Sequence, residues 1–558
     1  MKASKFIIFS RNGWFLVLIV SLIWILSCTV YAQQEEEVKV FRMTEDWPCY
    51  IDPSVGSNNT SCVSLCNLYD SLVFPTTDGS VKPWLAKSWT ISEDGLTYIF
   101  ELVPGVRFHN GDELTADDVV FSMERFLNIG EGFAYLFINR VEEVKALEKY
   151  KVQFTLKETF GPFMGALVKL YILNQDQVMA NIQKEGSYGE FGDYGKAWLV
   201  TNDAGSGPYK VKDMRTEEYL LMEQFDDYWA GWDKDAPQYV KLIGTTEAIT
   251  VRTLMSRGEL EMTDQWQIHE NLEAIDQLPN TEMFSFYVGK VLYIMLNLLE
   301  APTDDIHFRK ALSYCIDYDQ VNDIIFPGSR RSGPVAAGSP GYNPNLKLYE
   351  LDMMKAEEEL KKSAYYGKLD QYPFDLYLPP AVADLEKLAM MFQANAAKLG
   401  IKVNVIKVPF LTIIENLSRP ESTPHGSLLS VAPGYAEAGS MLDVRYHSHS
   451  SGAWEHGDWM QNPEIDAMID DAITTVDQEE RFKKYYEVQE KIFDLCPSIF
   501  LMEATIKQVY RTDYVVCLPA EAVKQGKPTN PVQAYNFYFR DYRVTPETAQ
   551  PPYTSFKP

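Results

Sequence analysis

The chain has 558 residues, of which 46% are hydrophobic and 13% aromatic, and a formal net charge of −27. That length exceeds what a single core fills and predicts two to four domains, while the apolar content excludes a disordered chain. The acidity excludes nucleic acid and anionic lipid head groups as partners and suits a protein exported from the cytoplasm.

Lys2, Lys5 and Arg11 precede an almost wholly apolar stretch from Trp14 to Leu26, and small residues follow as far as Ala32. This pattern predicts a secretory signal over residues 1–32, cleaved after Ala32, and hence a periplasmic or extracellular protein. A lipid anchor on Cys28 and a retained membrane anchor are the alternatives. No later apolar run is long enough to cross a bilayer. Six further cysteines (Cys49, Cys62, Cys66, Cys315, Cys496 and Cys517) permit disulfides in an exported chain without choosing a pairing. Cys62 and Cys66 would lie one helical turn apart, a poor geometry for bonding to each other.

Next comes the most patterned stretch of the chain. Leu68-Tyr69-Asp70-Ser71-Leu72-Val73 is apolar and ends in turn residues. Asp94-Gly95 suits a hairpin turn, and Tyr98, Phe100 and Leu102 alternate as a half-buried strand. Pro104-Gly105 breaks that strand. Thr115 with Asp118 predicts a capping box opening a helix, whose buried face is Val119, Val120, Met123, Phe126 and Leu127. Lys151 to Leu156 alternates as another strand. Ala204-Gly205-Ser206-Gly207-Pro208-Tyr209 reads as a hinge or crossing turn, because no Gly-Lys-Ser/Thr follows to make it a phosphate loop.

Tyr219 to Glu223 predicts a strand, leading to Asp227-Tyr228-Trp229. Thr250 to Ser256 predicts a helix, and Glu259 to Met262 a short strand. Phe308 to Asp317 reads as a helix with Cys315 inside it, and with Arg309 and Asp317 as a structural pair or cap. Asp384 to Lys398 is helical by spacing and closes on Gly400. Asn462-Pro463 and Asp477 start two further helices. There is no Gly-x-Ser-x-Gly elbow, His-Glu-x-x-His helix or Walker loop, so an enzyme is not expected.

The string from Pro83 to Arg125, with Gly-Ser-Gly-Pro-Tyr, Asp227-Tyr228-Trp229 and Phe308–Asp317, resembles the family 5 extracellular solute-binding proteins of ABC importers. These are the dipeptide, oligopeptide and nickel binders. The resemblance implies an α/β fold of the large periplasmic-binding-protein type (class II), with three domains and two lobes closing on a ligand cleft. It implies a discontinuous domain I over 38–66, 205–288 and 510–558, an inserted domain II over 67–204, and a domain III over 289–509. The partners implied are a small solute and a membrane permease with its ATPases, with no cofactor and a monomeric protein.

In peptide-binding relatives an aspartate near Tyr435 holds the peptide's ammonium. Here Gly434 precedes Tyr435, so peptides are demoted unless Glu437 substitutes. An unpaired buried ammonium would be destabilised by several kcal/mol. Trp47, Trp266, Tyr435, Trp454 and Trp459 fall near cleft segments of relatives and suit sugar faces or apolar groups. Gln265, Gln267 and Asn297 would add hydrogen bonds. Arg445 would meet a ligand carboxylate or phosphate, or pair with Asp443 or Glu437. His447, His449 and His456 are candidate metal ligands, with a metal-free loop as the favoured reading. The expectation is an oligosaccharide or other polar solute slightly ahead of a peptide, with nickel or a metal chelate behind both.

Overall fold

The computed structural model describes residues 38–47, 49–380 and 382–556, and the expected signal segment lies outside them. Three sheets organise the chain. The first runs Tyr209–Arg215, Tyr219–Gln224, Tyr239–Gly244, Val40–Glu45, and its last pair is parallel. Isolated bridges from Met262 to Met43 and to Tyr510 link this sheet to the third one. The predicted strand at Glu259–Met262 therefore shrinks to single bridges. The second sheet is antiparallel, in the order Ala86–Ile91, Thr97–Leu102, Lys151–Leu156, Val141–Glu148. The third has six strands, two of them long: Thr281–Leu296 and Ser498–Arg511. These two pair from Thr281–Arg511 to Met295–Ser498, with the register broken between Tyr287 and Val291.

Local sequence explains the second sheet. Thr97–Leu102 and Lys151–Leu156 each bury alternate residues, as period-two strands covered on one face should. Asp118 Oδ2 accepts from the Thr115 backbone N–H at 2.8 Å, completing the capping box of the helix Ala116–Ile129. On that helix Val119, Met123 and Phe126 are buried, whereas Val120 and Leu127 are only half-buried. Phe121 and Arg125 complete the inner face. The Arg125 guanidinium donates to both oxygens of Asp52, at 2.7 and 2.6 Å, and ties the helix to the loop after the first strand. A buried ion pair holds only with such two-point geometry.

Three separated motifs meet on one carboxylate. Buried Asp70 accepts from Trp84 Nε1 (2.8 Å), Trp229 Nε1 (3.0 Å), Tyr228 Oη (2.9 Å) and Ser206 Oγ (3.1 Å). The two glycines around Ser206 have a steric reason as well. A Cβ on Gly207 would lie 2.5 Å from the backbone of Leu68 and Tyr69, and one on Gly205 would overlap the Leu68 carbonyl. Gly-Ser-Gly is thus a backbone-to-backbone contact, where the sequence suggested a hinge or crossing turn.

Two other expectations change. The six cysteines are all reduced and buried, and each sits in its own packing site; Cys49 Sγ lies 3.0 Å from Ser64 Oγ and Cys496 Sγ 3.3 Å from Ser313 Oγ. Of the alternatives for Arg309 and Asp317, a pair or a cap, the cap holds for Asp317, and the two side chains do not meet. Arg309 donates to the carbonyls of Thr303, Asp304, Leu495 and Cys496, and Asp317 caps the next turn by accepting from Gln320 N–H.

Candidate ligand cleft

Open α/β sheets bind ligands beyond the carboxyl ends of their parallel strands, where diverging loops leave a crevice. Here those ends are Glu45 and Gly244, with Thr263 to Gln267 following the bridged Met262. Across this edge the two lobes touch. Lys387 Nζ, at the start of the helix Ala383–Ala397, lies 3.1 Å from Glu270 on the helix His269–Asp276. The long strands Thr281–Leu296 and Ser498–Arg511 run beneath as the connection between lobes.

Acidic groups gather at the strand ends. Glu45 is buried; its Oε2 accepts from Thr60 Oγ1 at 3.0 Å, and no cation lies within ion-pair distance among the described residues. Burial, and secondly Asp264, push its carboxyl up to about 8. Asp264 is also raised, by burial, although Thr44 Oγ1 (2.7 Å) and Gln267 Nε2 (2.8 Å) donate to it. Gln267 is therefore committed to Asp264. Trp47 packs beside Gly244, where a Cβ would lie 3.0 Å from its ring. Gln265 follows Asp264, and its buried Nε2 has no hydrogen-bond partner. Trp266 is 36% exposed, and Lys290 Nζ lies 4.8 Å from its ring centroid.

Lys290 is the group that sequence reasoning missed. It keeps some accessible surface while protein surrounds it, and burial alone pushes its ammonium down to about 8. Its signal was a single cation inside the apolar run Phe284-Ser285-Phe286-Tyr287-Val288-Gly289-Lys290-Val291-Leu292-Tyr293. Glu45 gave no such signal, since its strand Val40–Glu45 also carries Arg42 and Thr44.

The remaining candidates lie elsewhere. Asn297 is buried and donates to the Thr423 carbonyl at 3.1 Å; Trp459 Nε1 donates to Thr423 Oγ1 at 2.8 Å. Arg445 is fully buried and pairs with Asp458 at 3.1 Å and Ser498 at 2.9 Å, not with Asp443 or Glu437. Trp454 packs edge-on against Phe410, with centroids 5.7 Å apart. These four side chains are spent on holding the third sheet's lobe together, so a sugar platform built from Trp454 and Trp459 has no support in the packing.

Tyr435 and Glu437 lie where the second sheet's unit meets the third. Tyr435 is buried edge-on against Phe160 (6.1 Å), and its hydroxyl has no partner. Glu437 is buried and accepts from Arg481 at 2.8 and 3.0 Å, which corrects the expectation that it would be free for a ligand ammonium. Close by, Arg140 crosses to Asp443 at 2.7 Å. The imidazoles of His447 and His449 stack 3.9 Å apart, with His447 Nε2 3.2 Å from Asp470 and His449 Nε2 3.3 Å from Asp443. His456 is buried separately, with Nε2 3.1 Å from the Met460 carbonyl oxygen. The three histidines do not converge, and no set of three metal-ligating side chains occurs among the described residues.

The sequence profile of the family described as bacterial extracellular solute-binding proteins, family 5 (middle), matches residues 80–452. The chain belongs to this family. It is 28% identical to the probable D,D-dipeptide-binding periplasmic protein DdpA of Escherichia coli K12, over 82% of this chain and 86% of that one. It is 25% identical to the dipeptide-binding protein of the same strain, over 88% and 94%. In fold it matches the Helicobacter pylori periplasmic binding protein DppA in complex with the peptide STSA (TM-score 0.76, 22% identity, 92% and 99% covered). It also matches Campylobacter jejuni NikZ in complex with Ni(L-His) (TM-score 0.76, 19% identity, 91% and 99% covered). The chain is thus a substrate-binding subunit of an ABC importer, with a transport role and not an enzymatic one. The relatives named for peptides reverse the order expected from sequence, which put sugars first.

Proposed function

We propose that this subunit is exported, captures short peptides between its two lobes, and hands them to its permease. The observation that carries the reading is Glu45 beside Asp264, two buried carboxyl groups at the strand ends with no cation of the protein's own. A peptide ammonium placed there supplies the missing charge, and Glu45 ionises as it binds. This removes the need for the aspartate that the Tyr435 loop lacks. Support also comes from the dipeptide names of the relatives that align over most of the chain. Trp47 and Gln265 flank the same edge and would contact the ligand.

A thermal-shift panel tests the reading, using L,L- and D,D-dipeptides, tripeptides, oligosaccharides and nickel–histidine. Peptides at a hundredfold their Kd should stabilise the protein by about 2.7 kcal/mol. Sugars or nickel–histidine shifting the melt while peptides leave it unmoved would refute the proposal. Glu45→Gln should weaken a free dipeptide far more than its N-acetyl form.

A further inference from the structure

We propose that Lys290, held over Trp266 where the two long strands cross between lobes, is the anchor for a carboxylate on the ligand. This rests on the peptide reading above and names the opposite pole of the same cleft.

Lys290 has no anionic partner among the described residues. Its only partner among the described residues is the face of Trp266, 4.8 Å away, and a cation over an aromatic ring stays solvent-hungry for an anion. None of the acids on neighbouring segments pairs with it. Glu45 and Asp264 form no ion pair with Lys290, whose ammonium is shifted by burial alone, and Glu503 accepts from Arg330 Nε at 2.6 Å and Gly338 N–H at 2.9 Å. His269 lies 3.4 Å from Glu273, Glu270 faces Lys387, and Glu282 faces Lys524 at 2.8 Å. Lys507, on the partner strand, is itself lowered by burial and adds no negative charge. A structural lysine would have a carboxylate or carbonyls around it. This one faces residual open space and a flat ring.

Its position gives the charge a second consequence. Gly289 beside it has φ +71°, and a Cβ there would lie 3.1 Å from Pro433 of the facing lobe. The strand register breaks at this point, between Tyr287 and Val291. Lys290 thus sits on one of the two long strands that connect the lobes, with Trp266 contributed by the loop of the first sheet. A carboxylate reaching Lys290 neutralises a group whose burial in the closed form is otherwise unfavourable, so anion binding favours closure.

The test compares L-alanyl-L-alanine with its C-terminal amide on wild-type, Lys290→Met and Lys290→Arg proteins, by titration calorimetry. Wild-type protein should prefer the acid by at least about thirtyfold, as expected for a buried charge pair. Lys290→Met should bind acid and amide alike, and Lys290→Arg should keep part of the preference. Above pH 8 the acid's affinity for wild type should fall more steeply than the amide's, because both ligands lose their own ammonium on that limb and only the acid also loses the charge of Lys290. The apo melting temperature of Lys290→Met should equal or exceed that of wild type; a clear fall would show a structural lysine and overturn the proposal. Equal binding of acid and amide by wild type would also overturn it while leaving the peptide reading intact. Failure of both dipeptides to bind any of the three proteins would overturn the two together.

Discussion

Asp70 shows how much of this fold rests on single buried polar groups. Its four donors come from segments 136 to 159 residues away and from nearby Trp84. Asp70→Ala leaves those donors unsatisfied, at roughly 1–3 kcal/mol for each that water does not reach. The expected outcome is a loss of at least about 3 kcal/mol by denaturant titration, against a smaller loss for Ser206→Ala. Glu45 carries a pH signature of the opposite kind. Its folded carboxyl stands near 8, above the usual value, so the folded chain holds a proton that the unfolded chain releases. Its contribution is full below the ordinary glutamate range and is lost as pH rises through about 8. Glu45→Gln should therefore flatten the decline of apo stability between pH 5 and 8, measured by thermal melts across that range.

Among the elements, the long strands Thr281–Leu296 and Ser498–Arg511 matter most to function. Their pairing breaks register twice, at Leu292–Tyr293 and at the wider gap that includes Gly289, whose φ of +71° favours glycine. Gly289→Ala should cost about 1–2 kcal/mol from the left-handed backbone alone, and its methyl presses toward Pro433. Weaker ligand binding beyond that stability loss, seen in parallel calorimetry and melts, would mark the break as the hinge. The Gly434–Tyr435 loop acts differently. A Cβ on Gly434 would lie 2.5 Å from Tyr135 Oη, so this loop is fitted to the second sheet's unit. Arg140–Asp443 and the 2.8 Å bond from Gly161 N–H to the Ile473 carbonyl fasten the same seam.

At the scale of the molecule, the lobes meet in two ways, through the buried seam around Tyr435 and Asp443 and through an exposed contact at the strand-end edge. At that edge Lys387 and Glu270 are half exposed (51% and 61%), and surface pairs of this kind contribute about 0–1 kcal/mol. The strand-end edge is then weakly held without ligand, which suits a capture protein. Glu270→Lys should alter ligand affinity only slightly, and solution scattering should show a compaction on adding peptide that the variant retains. If the variant stayed open with saturating peptide, this exposed pair would be a true latch.

The sequence was enough for the family, the strands at Thr97–Leu102, Lys151–Leu156 and Tyr219–Gln224, and the caps at Thr115, Asn462 and Asp477, because each is written in residues close together. The long strands Thr281–Leu296 and Ser498–Arg511 carry no such local pattern. Alternation, turn pairs and capping oxygens act over one turn or one strand. The resemblance also pointed to Trp47, Gln265 and Trp266 as cleft residues. What it did not settle was which polar side chains are spent. Arg445, Asn297, Glu437 and Trp459 read as ligand groups until Asp458, Thr423 and Arg481 are seen against them. Conversely Lys290 and Glu45 read as ordinary residues until the packing shows that no partner arrives. Whether a buried charge is paired depends on segments hundreds of residues apart, and only the tertiary structure brings those together or keeps them separate.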